Sequence, residues 1–151
     1  GWKIGWVTGP AELVTAIETV KQFLTYSGGA PFQPAIATGL RLPDSFFTGI
    51  ATTLAAKRDL LGAGLRQAGL SVSTPGGSYF TVADVSSLGV TDAHAFCREL
   101  PERAGVVGIP VTAFVTAEHR ADYATLVRFA ACKRVAVIEE AVARLASLSP
   151  R

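Results

Sequence analysis

The chain has 151 residues, of which 49% are hydrophobic and 17% are charged, and its formal net charge is +2. This length suffices for one compact domain with its own core. The charge is too small, and the basic residues too dispersed, to indicate nucleic-acid binding. No apolar run approaches the roughly 18 residues that a membrane-spanning helix needs. The high apolar content is typical of a chain that buries surface against another domain or subunit.

Cysteine and histidine are scarce, which narrows the chemistry available. Cys97 and Cys132 are too few for a disulfide framework, and together with His94 and His119 they lack the spacing of metal ligands. We therefore expect free thiols in a reducing cytoplasm and no metal site.

The N-terminal part predicts a short strand over residues 2–7, ended by Gly9 and Pro10. A helix is expected to follow, because four apolar residues fall at helical spacing: Leu13, Ile17, Val20 and Leu24. A second, short helix is expected over residues 32–40.

A long helix is the clearest predicted element. Asp44 is a suitable N-cap, and Gly69 is a suitable stop after about Ala68. One apolar side supports the prediction: Phe47, Ile50, Leu54, Leu61 and Leu65.

The remaining residues predict a mixture of strands and helices. Strands are expected over residues 70–74 and 79–85, joined by a turn at Pro75, Gly76 and Gly77. A helix should begin at Thr91 and Asp92, and Pro101 could kink it. The later expected elements are a strand over 106–109 that ends at Pro110, a loop over 112–123, a strand over 126–132 and a final helix from about Lys133. This order indicates an α+β fold in which helices pack on one face of a small sheet.

Several motifs, taken in their order along the chain, resemble a known enzyme family. They are Gly1-Trp2-Lys3-Ile4-Gly5-Trp6, Gly77-Ser78-Tyr79-Phe80, Phe96-Cys97-Arg98-Glu99-Leu100, Gly105-Val106-Val107-Gly108-Ile109-Pro110 and Val127-Arg128-Phe129. The set resembles fold type I aminotransferases that depend on pyridoxal 5'-phosphate. The most similar subgroup holds kynurenine aminotransferases, cysteine-conjugate β-lyases and actinobacterial N-succinyldiaminopimelate aminotransferases.

The resemblance implies a domain organisation. Residues 1–30 would end the large cofactor-binding domain, and residues 31–151 would form the small C-terminal domain, with the boundary between Tyr26 and Pro43. The intact protein is expected to be a cytoplasmic homodimer in amino-acid biosynthesis. The lysine that forms a Schiff base with the cofactor would lie a few residues before Gly1, so that this chain alone should be inactive.

Arg128 is the strongest candidate for a functional residue. It lies in the apolar strand Leu126-Val127-Arg128-Phe129-Ala130, where an unpaired charge would be costly. Its guanidinium therefore needs a carboxylate, either from a protein acid such as Asp84 or Glu99 or from a ligand. The resemblance implies the ligand, because the family's arginine in this motif binds the α-carboxylate of the substrate.

Three further residues take their candidate roles from the resemblance. Lys3 would contact the cofactor phosphate, with a solvated lysine as the alternative. Tyr26 would reach the active site of the neighbouring subunit, although the segment that follows it departs from the usual spacing. Phe114 would lie near the substrate pocket. For Tyr26 and Phe114 the alternative is ordinary packing.

The implied activity is the transfer of an amino group between an amino acid and a 2-oxo acid, with N-succinyldiaminopimelate and 2-oxoglutarate as one possible pair. Alternatives are a kynurenine aminotransferase, a β-lyase acting on cysteine conjugates, the aminotransferase-like sensor domain of a transcription regulator, and a fragment without activity.

Overall fold

A computed structural model describes residues 3–148. The chain forms two compact units that divide between Phe47 and Thr48. We call them the N-terminal unit and the C-terminal unit. This division does not test the boundary expected at residues 30–31 between the cofactor-binding domain and the small C-terminal domain, which stays a prediction.

The N-terminal unit contains helices α1 (Ala11–Leu24) and α2 (Phe32–Gly39). Both were expected, and the carbonyl of Pro10 accepts the first hydrogen bonds of α1 from Leu13 and Val14, at 3.0 and 3.1 Å. Neither helix has a buried residue. The strand predicted over residues 2–7 is wrong for its described part, since residues 3–7 form no strand. A strand needs a hydrogen-bonding neighbour, and the described strands all belong to one sheet within residues 71–130; Trp2 lies outside the described residues.

Helix α3 (Asp44–Gln67) is the long helix that the sequence predicts. Asp44, which was predicted to be the N-cap, is instead the first residue of the helix, one position after the N-cap. Gly69 ends it with a φ of +82°, in the left-handed region that favours glycine. The N–H of Leu70 then donates to the carbonyl of Leu65 at 3.1 Å, which closes the end of the helix.

Four strands form one antiparallel sheet in the order β1-β2-β4-β3. They are β1 (Ser71–Val72), β2 (Phe80–Asp84), β3 (Ile109–Pro110) and β4 (Leu126–Ala130). The hairpin of β1 and β2 was expected, whereas the strand predicted over 106–109 is displaced and includes Pro110. Proline can occupy this place because β3 is an edge strand.

Two helices complete the C-terminal unit: α4 (Ala93–Ala104) and α5 (Val135–Ala146). The Asp92 carboxylate caps α4 by accepting from the N–H groups of His94 and Ala95, at 2.8 and 3.3 Å. Pro101 does not interrupt α4, which ends at Gly105 with a φ of +62°. The loop predicted over 112–123 instead forms two 3₁₀ segments, Val111–Phe114 and Ala117–Tyr123.

The core of the C-terminal unit lies on one face of the sheet. Alternate residues of β2 and β4 are buried there with side chains from α3, α4 and α5, among them Leu65, Leu100 and Val127. Because side chains alternate along a strand, the intervening residues point to the opposite face. The expected α+β class, with helices packed on one face of a small sheet, is confirmed. Within residues 3–148 the structure contains no helix long and apolar enough to cross a bilayer.

Candidate functional site

Arg128 projects from the face of the sheet opposite the core. Its neighbours Val127 and Phe129 are buried, which fixes β4 against the helices and directs the intervening side chain outward. The register places Arg128 opposite Val82 of β2 on one side and Ile109 of β3 on the other. The arginine is half-buried, so that its charge is only partly hydrated.

Two phenylalanine rings contact the guanidinium of Arg128. Its central carbon lies 4.0 Å from the centroid of the Phe80 ring and 4.4 Å from that of Phe114. Phe80 belongs to the neighbouring strand β2, and Phe114 ends the first 3₁₀ segment. Both distances are well within the range of a cation–π interaction. The structure therefore brings the predicted residues Arg128 and Phe114 together.

No acidic side chain within residues 3–148 forms an ion pair or hydrogen bond with Arg128. Asp84 instead accepts a hydrogen bond from the N–H of Ser86 at 2.8 Å. Glu99 lies 3.9 Å from a guanidinium nitrogen of Arg103. The two internal partners considered from the sequence are thus engaged elsewhere, and the planar fork of Arg128 can receive a carboxylate from outside.

The hydrogen bonds of Asp84 explain why its carboxylate does not pair with Arg128. Partial burial acts to raise its pKa, but hydrogen bonds from the backbone and side chain of Ser86 and from the side chain of Thr125 outweigh burial. The net effect lowers the pKa of Asp84 below its ordinary value of 3.8. This carboxylate is therefore ionised near neutral pH and is held by uncharged donors.

A cavity of about 420 Å³ is lined mainly by residues of the C-terminal unit's core and by α5, and Phe80 and Arg128 form part of its wall. Its walls are mainly apolar, and Lys133, Glu140 and Arg144 contribute charged groups. Arg144 pairs with Glu140, whereas Lys133 has no ion pair among the described residues. The lining of this cavity thus carries more positive than negative charge and is otherwise mainly apolar, which favours an anionic ligand with an apolar body.

The other two predicted site residues, Lys3 and Tyr26, lie in the N-terminal unit. The Lys3 side chain is exposed and makes no ion pair with any residue that the structure describes. Tyr26 is 85% exposed. Both have left-handed backbones, with φ of 49° and 58°, which costs free energy at a residue other than glycine. Their exposure is compatible with contacts to groups outside this unit.

The sequence prediction gave Phe80 no role of its own. The signal that could have found it is the strand alternation, which puts Phe80, Val82 and Asp84 on one side of β2. That signal is useful only with the register between β2 and β4, which places Val82 opposite Arg128. Short strands do not reveal such a register from the sequence alone.

Residues 1–145 match the family model of aminotransferases of class I and II. The chain belongs to this family. It is 45% identical over its whole length to a protein from Mycobacterium tuberculosis named "Probable N-succinyldiaminopimelate aminotransferase DapC", of which it covers 40%. It is 32% identical, over 93% of its length, to kynurenine–oxoglutarate transaminase 3 from Rattus norvegicus, of which it covers 35%.

Solved structures of the family show the same fold. The N-succinyldiaminopimelate aminotransferase of M. tuberculosis aligns with 98% of this chain at a TM-score of 0.88 and 44% identity, and the alignment covers 38% of that protein. A methionine aminotransferase from Escherichia coli aligns with 97% of the chain at a TM-score of 0.83 and 30% identity. The chain thus spans about two fifths of the length of the relatives that it matches.

Proposed function

We propose that this chain is the C-terminal portion of an aminotransferase that moves an amino group between an amino acid and a 2-oxo acid. The observation that carries the proposal is the guanidinium of Arg128, half-buried between two rings and without an acidic partner in residues 3–148. Both substrates carry a carboxylate next to the reacting carbon. A bidentate pair between that carboxylate and Arg128 would bind either of them in one orientation.

Arg128 would act by positioning. Two parallel hydrogen bonds fix both the direction and the rotation of a carboxylate, and thereby of the neighbouring Cα–H bond. The rings of Phe80 and Phe114 reduce the access of water to the guanidinium, which strengthens its attraction for the anion. No bond is made or broken at Arg128 itself.

We further propose pyridoxal 5'-phosphate as the cofactor. Lys3 fits its phosphate, because this exposed cation has no ion pair within the described residues. When bound, this cofactor supplies the electron sink that allows the Cα–H bond of an amino acid to break. The lysine that would carry it lies, on this proposal, a few residues before Gly1.

For the substrates we propose N-succinyldiaminopimelate and 2-oxoglutarate. Support comes from the higher identity to the mycobacterial relative of that name, 45% against 32% for the kynurenine transaminase. We also propose a cytoplasmic homodimer that serves amino-acid biosynthesis, with Tyr26 contributing to the site of the partner subunit. The exposed apolar side chains of α1 support a covering subunit or domain.

The test is an assay of the intact protein that contains this segment. Purified with pyridoxal phosphate, it should form glutamate from 2-oxoglutarate when N-succinyldiaminopimelate is supplied, and more slowly with kynurenine. Reduction with isotopically labelled borohydride should abolish the absorbance band of the bound cofactor. The label should then be recovered on a lysine shortly before Gly1. Absence of glutamate with every donor would contradict the proposal, and release of pyruvate from a cysteine conjugate without amino transfer would indicate a β-lyase instead.

A further inference from the structure

Among the described residues of the C-terminal unit, two arginines lie over phenylalanine rings, and only one of the two has an acidic partner there. The guanidinium carbon of Arg103 is 5.8 Å from the centroid of Phe96, and Glu99 lies within ion-pair distance of the same arginine. Arg128 lies nearer its rings, at 4.0 and 4.4 Å, and no carboxylate of the described residues pairs with it. The guanidinium of Arg128 thus contacts two rings where that of Arg103 also has a carboxylate.

The outer face of β2 offers Arg128 two different neighbours. Because Arg128 lies opposite Val82, Phe80 is its diagonal neighbour in one direction and Asp84 in the other. Diagonal neighbours in antiparallel strands are about 7–8 Å apart between backbones, which a long side chain can span. The structure shows the guanidinium on the ring of Phe80 and not on the carboxylate of Asp84.

The choice between these neighbours decides what remains available for a ligand. A carboxylate partner would neutralise the guanidinium and occupy the fork of N–H donors. An aromatic face attracts the cation but accepts few of its hydrogen bonds and carries no net charge. Held by rings, Arg128 keeps both its charge and its donors.

We propose that Phe80 and Phe114 are positioning residues that hold Arg128 away from Asp84, so that its fork stays open for a substrate carboxylate. This inference rests on the proposed function and adds to it the means by which the anion site is kept free. The ring of Phe80 has a fixed place beside Arg128, because Phe80 belongs to β2, the strand that pairs with β4. Phe114 approaches from a separate segment and is 58% exposed, so that it can be substituted with little risk to folding.

The experiment measures inhibition constants in the intact holoenzyme with two ligands of equal shape, isocaproate and isocaproamide. Only the first has a carboxylate. Phe114→Leu should raise the inhibition constant of isocaproate about fivefold, which is the change that a loss of about 1 kcal/mol in binding free energy produces. Phe114→Tyr, which keeps an aromatic face, should retain most of the affinity. The inhibition constant of isocaproamide should change little in both variants. This control separates loss of the charge contact from a general change in the pocket.

A second set of variants tests the role of Asp84. Phe80→Leu should weaken isocaproate at least as much as Phe114→Leu, because it removes the nearer ring. Adding Asp84→Asn to Phe80→Leu should restore part of the lost affinity, since the competing charge is gone. If Phe80 had only a structural role, adding Asp84→Asn would not restore any of the affinity for isocaproate that Phe80→Leu had lost.

The possible failures are distinguishable. If the wild-type protein binds isocaproamide as well as isocaproate, the carboxylate site is wrong and the proposed function loses its support. If the wild type prefers isocaproate but Phe114→Leu and Phe80→Leu leave that preference unchanged, the positioning role is wrong and the proposed function stands. Equal weakening by Phe114→Leu and Phe114→Tyr would also overturn the role assigned to the rings.

Discussion

The two units of this chain use apolar residues differently. In the C-terminal unit, residues from three helices and two strands form one buried core around Leu65, Leu100 and Val127. In the N-terminal unit, α1 and α2 have no buried residue, and most of the apolar side of α1 is exposed. Helical spacing of apolar residues therefore produced a helix in both units, but only the unit with a sheet covers those residues itself. We expect folding stability to reside mainly in the C-terminal unit.

The largest expected effect comes from shortening a core leucine. Leu100 is fully buried, and Leu100→Ala should lower the free energy of unfolding by about 2–5 kcal/mol. Leu24→Ala, at a position of α1 that is 75% exposed, should change it by less than about 0.5 kcal/mol. Chemical denaturation of the two variants measures both values. Similar losses would mean that the two units do not differ as described.

A smaller effect is expected from two glycines of the same helix. A Cβ on Gly64 of α3 would collide with the side chain of Val142 of α5. Gly64→Ala should therefore cost about 1–3 kcal/mol of unfolding free energy. Gly49→Ala meets nothing within 4 Å and should stabilise α3 by about 0.5–1 kcal/mol. Opposite shifts of the thermal midpoint would confirm that α3 packs closely on α5 at Gly64 and has open space at Gly49.

The smallest expected effect is on acid stability. The pKa of Asp84 is lowered in the folded state, so its carboxylate stabilises the fold above the ordinary value of 3.8. This contribution is lost as the pH falls through the lower folded pKa. In Asp84→Asn the free energy of unfolding should therefore fall less steeply as the pH is lowered through the acid range. Glu12→Gln, on the exposed helix α1, should leave the slope of this pH dependence unchanged. An unchanged slope in Asp84→Asn would contradict the assigned hydrogen bonds.

The sequence predicted the helices well because their signals are local. The start of α4 near Thr91 and Asp92 and the stop of α3 at Gly69 depend on residues next to them, and both predictions agree with the structure. The cap predicted at Asp44 was one position off, since Asp44 is the first residue of α3. The strand prediction was wrong for residues 3–7, the described part of its range, because a strand depends on partners elsewhere in the chain, which alternation does not reveal.

The candidate site was predictable only in part, for the same reason. An arginine within an apolar strand is a local pattern, and it led to Arg128. The question of what faces that arginine depends on the register of β2 against β4 and on the approach of the segment 111–114. Phe80 was therefore missed, and the internal partners Asp84 and Glu99 could be rejected only from the structure.

The most direct test of the central claim compares two arginines in the intact enzyme. Arg128→Ala should raise the KM for the amino-acid substrate by about 100-fold, since two charge-assisted hydrogen bonds are lost. Arg103→Ala, which removes an arginine that also lies over a ring but pairs with Glu99, should leave the KM within about twofold of the wild type. An unchanged KM in Arg128→Ala would contradict the claim that Arg128 binds a carboxylate from outside the chain.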